Sequence, residues 1–191
     1  MLDSRSTVVV FIDVQERLAK VIPNIGSILA NSRLLASFAL GEGVPVIATK
    51  QVKLGEIVSE LRDLLEGRAY IVEKKTFSCF GSKEFVSTLE KLERKTLVVA
   101  GLETHICVLQ TVYDALERGY DVVVAVDAVG SQLASDHEYG VHAIEKLGAI
   151  LLPAESIVYW LLKSAEHPRF REALEEVKKR RKTLLDKTKH P

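Results

Sequence analysis

The chain has 191 residues, 47% of them hydrophobic, with 26 Lys plus Arg against 26 Asp plus Glu. That length supports one sizeable core rather than two domains, and the even charge balance removes any global electrostatic case for nucleic acid or an anionic membrane surface. No apolar run approaches the ~20 residues needed to span a bilayer, and a start reading Met1-Leu2-Asp3-Ser4-Arg5 with only two cysteines, Cys79 and Cys107, leads us to expect a cytoplasmic, reducing compartment.

In chain order, short β-branched runs alternate with helical patterns. A strand is predicted at Thr7 to Ile12, a helix from about Ile25 to Leu40, a strand at Val44 to Thr49 and a short helix around Ile57 to Leu65. The same period continues with a strand at Tyr70 to Val72, a helix from about Lys83 to Leu92 and a strand at Thr96 to Ala100. A helix follows near His105, with Leu109, Val112 and Leu116 at helical spacing, then a strand at Val122 to Val126. A helix near His137 to Leu147, a strand at Ala149 to Leu152 and a helix from about Ala154 to Leu162 complete the pattern. Strands apolar on both faces, alternating with helices, predict a mostly parallel six-stranded sheet covered on both sides: a doubly wound, three-layer α/β/α domain. In such sheets ligands bind beyond the carboxyl ends of the strands, where strand order reverses.

Residues 163–191 form a charged C-terminal segment of the same domain, predicted helical after Pro168. Its run Lys178-Lys179-Arg180-Arg181-Lys182 is interleaved with Glu172, Glu175 and Glu176 just before it, so we read it as a solvated face or subunit contact, not a nucleic-acid site.

Three strand ends carry an ionisable group. The first strand ends in Asp13, the third is followed by Lys74 and Lys75, and the fourth runs through Gly101 to Cys107 at the start of a helix. A thiol at a helix N-terminus beside an ammonium is placed to become a thiolate, and the same N–H groups can hold an oxyanion. Each feature alone has a bland alternative: a capping Asp, a solvated Lys, a buried Cys that packs as a small hydrophobe.

Taken together, Val10-Phe11-Ile12-Asp13-Val14-Gln15, Lys74 with Phe77, Ser78 and Phe80, and Gly101-Leu102-Glu103-Thr104-His105-Ile106-Cys107-Val108 resemble the isochorismatase-like cysteine hydrolase superfamily. Val126-Asp127-Ala128 with Ser131, Lys146 to Ala149, Glu155-Ser156 and His167-Pro168-Arg169-Phe170 are similar in particular to the small isochorismatase domain-containing hydrolases. The resemblance implies a triad of Asp13, Lys74 and Cys107, with Lys74 preferred to Lys75 because it stands three residues before Phe77. It also implies a cis peptide at Leu102–Glu103 and an oxyanion hole from the N–H groups of Glu103 and Cys107. Gln15, Gln51, Phe77, Phe80 and His105 are candidate pocket residues, and Tyr113 a further pocket or subunit contact. His105 is weighed more as an order-giving residue of the turn, and Asp127 as an orienter of loops.

The resemblance implies a homo-oligomer, for which Tyr159, Trp160 and Leu161 offer apolar surface. Nicotinamidases of the superfamily carry a metal cluster after the second strand, where this chain reads Thr49-Lys50-Gln51-Val52-Lys53-Leu54-Gly55-Glu56 with no histidine. The expectation is therefore a hydrolase without metal or other cofactor, acting on a small amide, ureide or carbamoyl substrate through a thioester. The alternatives are a binding or scaffold protein, an enol-ether hydrolase of isochorismatase type, and a redox sensor at Cys107.

Overall fold

In the computed structural model, residues 2–188 are described. Six parallel strands form one sheet in the order β3-β2-β1-β4-β5-β6. They are β1 (Thr7–Ile12), β2 (Val46–Gln51), β3 (Tyr70–Lys74), β4 (Thr96–Leu102), β5 (Asp121–Gly130) and β6 (Ile150–Leu152). The helices are α1 (Glu16–Ala19), α2 (Ile25–Glu42), α3 (Ser59–Leu65), α4 (Lys83–Leu92), α5 (Leu109–Glu117), α6 (Ala134–Lys146), α7 (Ala154–Leu162) and α8 (Phe170–Thr188). The positively charged tail is thus one helix from Phe170 through residue 188, and residues 189–191 of the expected segment lie outside the described residues.

Strand alternation sorts the apolar residues into two cores. Val9, Phe11, Val46, Ala48, Val98 and Val123 face α2, α3, α7 and α8, whereas Val8, Val10, Ile47, Leu97, Val99 and Val124 face α4, α5 and α6. Both faces are dry because right-handed crossovers place helices on each side of a parallel sheet. Two short elements escaped the periodicity, α1 and a 3-10 turn at Cys79–Gly81, since a single turn is too short to show a period. β5 runs four residues beyond its expected end, through Gly130 and past a register shift in its pairing with β4 between Val99 and Gly101. Leu161 packs inside the first core, leaving Tyr159 and Trp160 exposed on α7.

The sheet order reverses between β1 and β4, which pair from Thr7–Thr96 to Ile12–Gly101. Gly101 has φ +129, and a Cβ there would lie 2.0 Å from the Ile12 carbonyl oxygen. Only glycine allows this approach, and it brings the chain leaving β4 against the chain leaving β1.

Candidate active site

Asp13 follows β1 in the left-handed region, with φ 51, and Asp tolerates that conformation better than most residues. Thr49 near the end of β2 fixes it from both sides: the Asp13 N–H donates to Thr49 Oγ1 at 3.2 Å, and the Thr49 hydroxyl donates to Asp13 Oδ1 at 2.7 Å. Lys74 ends β3, two strands away, a separation of roughly 10 Å at the usual strand spacing. Its stem crosses the end of β2, and Nζ reaches Asp13 Oδ2 at 2.6 Å. Both side chains have no solvent exposure. The ammonium also donates to Gln51 Oε1 at 2.8 Å and to the carbonyls of Thr76 (3.1 Å) and Phe77 (3.0 Å). A buried ion pair persists only when its remaining polar valences are met, and here four acceptors surround the ammonium.

Cys107 does not open an α-helix. It lies in a π-helical turn, Thr104–Val108, that continues into α5, and the peptide bond Leu102–Glu103 before it is cis. The turn is pinned on three sides. Thr111 donates from Oγ1 to the Cys107 carbonyl at 2.7 Å and accepts from the Cys79 N–H at 3.1 Å. Thr104 Oγ1 is 3.0 Å from His137 Nδ1, and His105 Nδ1 is 2.9 Å from Ser131 Oγ. Glu103 Oε1 accepts from the Gln132 N–H at 3.0 Å.

Burial and then the Asp13 carboxylate push the Cys107 thiol up to about 12, with Lys74 pulling the other way. The expectation of a standing thiolate assumed a Lys74 charge directed at the sulfur; in the structure that charge is compensated by Asp13 and three further oxygens. The resting sulfur therefore keeps its proton, and the nearby carboxylate is the group positioned to take it. Cys79, fully buried, is raised to about 11 chiefly by burial.

The other predicted site residues divide. Gln51 belongs to the cluster through Lys74. Gln15 is fully buried but spent on backbone: it donates to the carbonyls of Gln51 (3.1 Å) and Gly55 (2.6 Å) and accepts from the Gln51 N–H at 2.8 Å. It clamps the loop that carries Gln51. Phe80 is core, edge-on to Phe85 at 5.3 Å with Arg118 over its ring, while Phe77 and Tyr113 are exposed. His105 is turned to Ser131, with Asp136 3.7 Å from its Nε2, which fits the order-giving role. Lys50 of β2 pairs with Glu56 in the segment that follows, at 2.7 Å. Sequence reasoning missed Thr49, Thr111 and Thr104 with His137; a threonine in each otherwise apolar buried stretch was the available signal.

Asp127 accepts from the Ala154 N–H at the start of α7 (2.7 Å) and from Arg180 Nη2 (2.9 Å). Arg180 also donates to Glu155 (2.8 Å) and to Asn31. The centre of the basic run thus ties α8 to the domain.

Acid, ammonium and thiol thus follow three strands of one parallel sheet and meet at its switch point, where α/β proteins bind their ligands. The sequence profile of the Isochorismatase domain matches residues 7–156, and the chain belongs to the isochorismatase family. It is 33% identical over 171 residues to the secreted isochorismatase effector Isc1 of Phytophthora sojae, covering 87% of this chain and 81% of that one. Its structure resembles the MAR1 ribonuclease of Caenorhabditis elegans at 32% identity and a TM-score of 0.87, covering 92% and 91% of the two chains. It also resembles YcaC of Pseudomonas aeruginosa, solved with hexane-2,5-diol and covalent acrylamide, at 25% identity and a TM-score of 0.85, covering 92% and 90%. Among the described residues no helix is long and apolar enough to cross a membrane.

Proposed function

We propose that this isochorismatase-family protein is a cysteine hydrolase cleaving the C–N bond of a small amide, ureide or carbamoyl compound. The observation that carries the reading is the solvent-free Asp13–Lys74 pair beside the Cys107 thiol. Asp13 takes the thiol proton as sulfur attacks the carbonyl carbon, and the N–H groups of Glu103 and Cys107 receive the oxyanion. Collapse expels the amine with the proton from Asp13 and leaves a thioester. Water then gives a proton to Asp13 and adds to the thioester, and collapse returns that proton to sulfur and releases the acid. Lys74 holds Asp13 in place and balances its charge throughout. No step calls on a metal, and a cytoplasmic homo-oligomer remains the accompanying proposal, supported by exposed Tyr159 and Trp160 on α7.

Ammonia release from a panel of small amides, ureides and carbamoyl compounds, with quenched samples weighed for an acyl adduct on Cys107, tests the proposal. Turnover by the wild type and its loss in Cys107→Ser and Asp13→Asn is the expected result. A Cys107 that neither acylates nor reacts with acrylamide would overturn it in favour of a binding protein. The name of the C. elegans neighbour raises RNA cleavage as a second reading. Here the central arginine of the basic run is taken up by Asp127 and Glu155, so we expect no cleavage of RNA that depends on Cys107.

A further inference from the structure

A cavity of about 500 Å³ opens at the carboxyl end of β5, outside the cluster of Asp13, Lys74 and Cys107. Its size falls in the range of small-molecule sites. The walls include Ser27 of α2, Asp127 of β5, Ser131 just beyond it, His137 of α6, and Arg180 and Leu184 of α8. The charged groups in this wall are already matched, since Arg180 bonds Asp127 and Glu155. A charged ligand would find no unpaired partner there and would lose its hydration uncompensated.

His137 supplies the polar handle. Thr104 is fully buried, and among the described residues the only polar partner of its hydroxyl is His137 Nδ1. Leaving a buried hydroxyl hydrogen without an acceptor is costly, so hydrogen-bond accounting assigns the Thr104 hydroxyl as donor and Nδ1 as acceptor. The ring proton of the neutral imidazole then sits on Nε2, which has no protein partner among the described residues. Burial lowers the pKa of this histidine, which favours that neutral form.

We propose that this cavity binds a small uncharged molecule bearing a carbonyl oxygen, which accepts from His137 Nε2–H, and that its occupancy is felt at the Cys107 turn. The route is short. His137 and Ser131 hold Thr104 and His105, the first two residues of the turn, and α6 lies flush against it because a Cβ on Gly140 would meet the His105 backbone at 3.0 Å. The coupling rests on the proposed role of Cys107; binding in the cavity does not.

Ring-nitrogen NMR of histidine-labelled protein, in the Cys107→Ser background to prevent turnover, reads binding directly with benzamide as probe and benzoate as its charged counterpart. The His137 resonances, assigned by their loss in His137→Asn, should shift saturably with benzamide and not with benzoate. Ala134→Phe, at an exposed position that borders the cavity, fills the space without touching the Thr104 bond and should weaken benzamide binding, read from the midpoint of the shift, by about tenfold or more. Acrylamide labelling of Cys107 in the wild type then separates two sources of the same chemistry. Competitive protection by benzamide marks the cavity as the seat of the substrate's unreacted end, and a changed rate without protection marks a separate effector site; either supports the proposal. An unmoved His137, an equal response to benzoate, a response indifferent to Ala134→Phe, or labelling unaffected by saturating benzamide would overturn it. An inert Cys107 alongside a responsive His137 would instead fail the hydrolase reading and leave the binding site standing.

Discussion

Two acid–base clusters sit at the carboxyl edge of the same sheet, and they do different work. Asp13 and Lys74 are wholly buried, joined at 2.6 Å, with a protonated thiol beside them. Asp127, Glu155 and Arg180 are also joined at 2.8 to 2.9 Å, yet each keeps between 14% and 25% side-chain exposure, and their other hydrogen bonds end on the Ala154 N–H, Asn31 and Arg181. The first cluster contains a group that can change covalent state; the second contains only groups that hold. Residue type and strand-end position are therefore insufficient marks of a site: what distinguishes the two is a thiol within the field of the pair and the exclusion of water around it.

The sharpest way to break the comparison is Asp13→Asn. Under the proposed mechanism it removes the base and should lower turnover by about 100 to 10,000-fold. Because the Asp13 carboxylate is one of the groups raising the thiol, the same change should move the alkylation profile of Cys107 to lower pH. A more acidic thiol with less activity separates a general-base role from a mere thiolate-stabilising one. A parallel loss of thiol acidity and rate would contradict it.

Lys74→Met comes next. It leaves an uncompensated carboxylate in a dry site, and breaking a buried pair in this way costs about 3 to 5 kcal/mol, measurable as a fall in the urea midpoint at constant slope. It should also drive the Cys107 titration further up, since Lys74 opposes the rise. Arg180→Met at the second cluster should cost less, about 1 to 3 kcal/mol for lost charge-assisted hydrogen bonds, because Glu155 keeps Arg181 as a partner and the site remains partly hydrated. The Cys107 profile should not move. If it does, the two clusters are coupled.

How much of this was legible beforehand depends on whether the information was local. Asp13, Lys74 and Cys107 announce themselves as polar groups at the ends of apolar strands, and alternation along β3, with Val72 and Lys74 buried and Glu73 and Lys75 exposed, agrees with the choice of Lys74. The role of Gln51 needs the knowledge that β2 lies between β1 and β3, which is a property of sheet order and not of any window of sequence. Phe80 looked like a pocket residue because a loop has no period from which to read a face; a 3-10 turn delivers it to the core instead. His137 carries no local signal for a related reason, since its partner Thr104 is 33 residues away and meets it only after α6 folds back on the turn. The π-helical shape of that turn had no sequence signature at all, because the apolar spacing in α5 reads equally well with the helix begun a turn earlier.

The smallest expected effect concerns Cys79, the buried thiol that the proposed chemistry leaves idle. Its pKa is raised from 9.0 to about 11 by burial, so between those values the folded chain holds a proton that the unfolded chain has released. Stability must then fall as pH rises through that window, by at most about 1.4 kcal/mol per pH unit from one thiol, and the contribution is fully present below pH 9. Urea midpoints taken across the window should decline less steeply in Cys79→Ala than in the wild type. Cys107 should add a decline of the same sign, and that part should lessen in Asp13→Asn, whose thiol titrates closer to its unfolded value. That second dependence separates the two thiols: burial raises both, and the Asp13 carboxylate raises Cys107 by a hydrogen bond as well as by its charge.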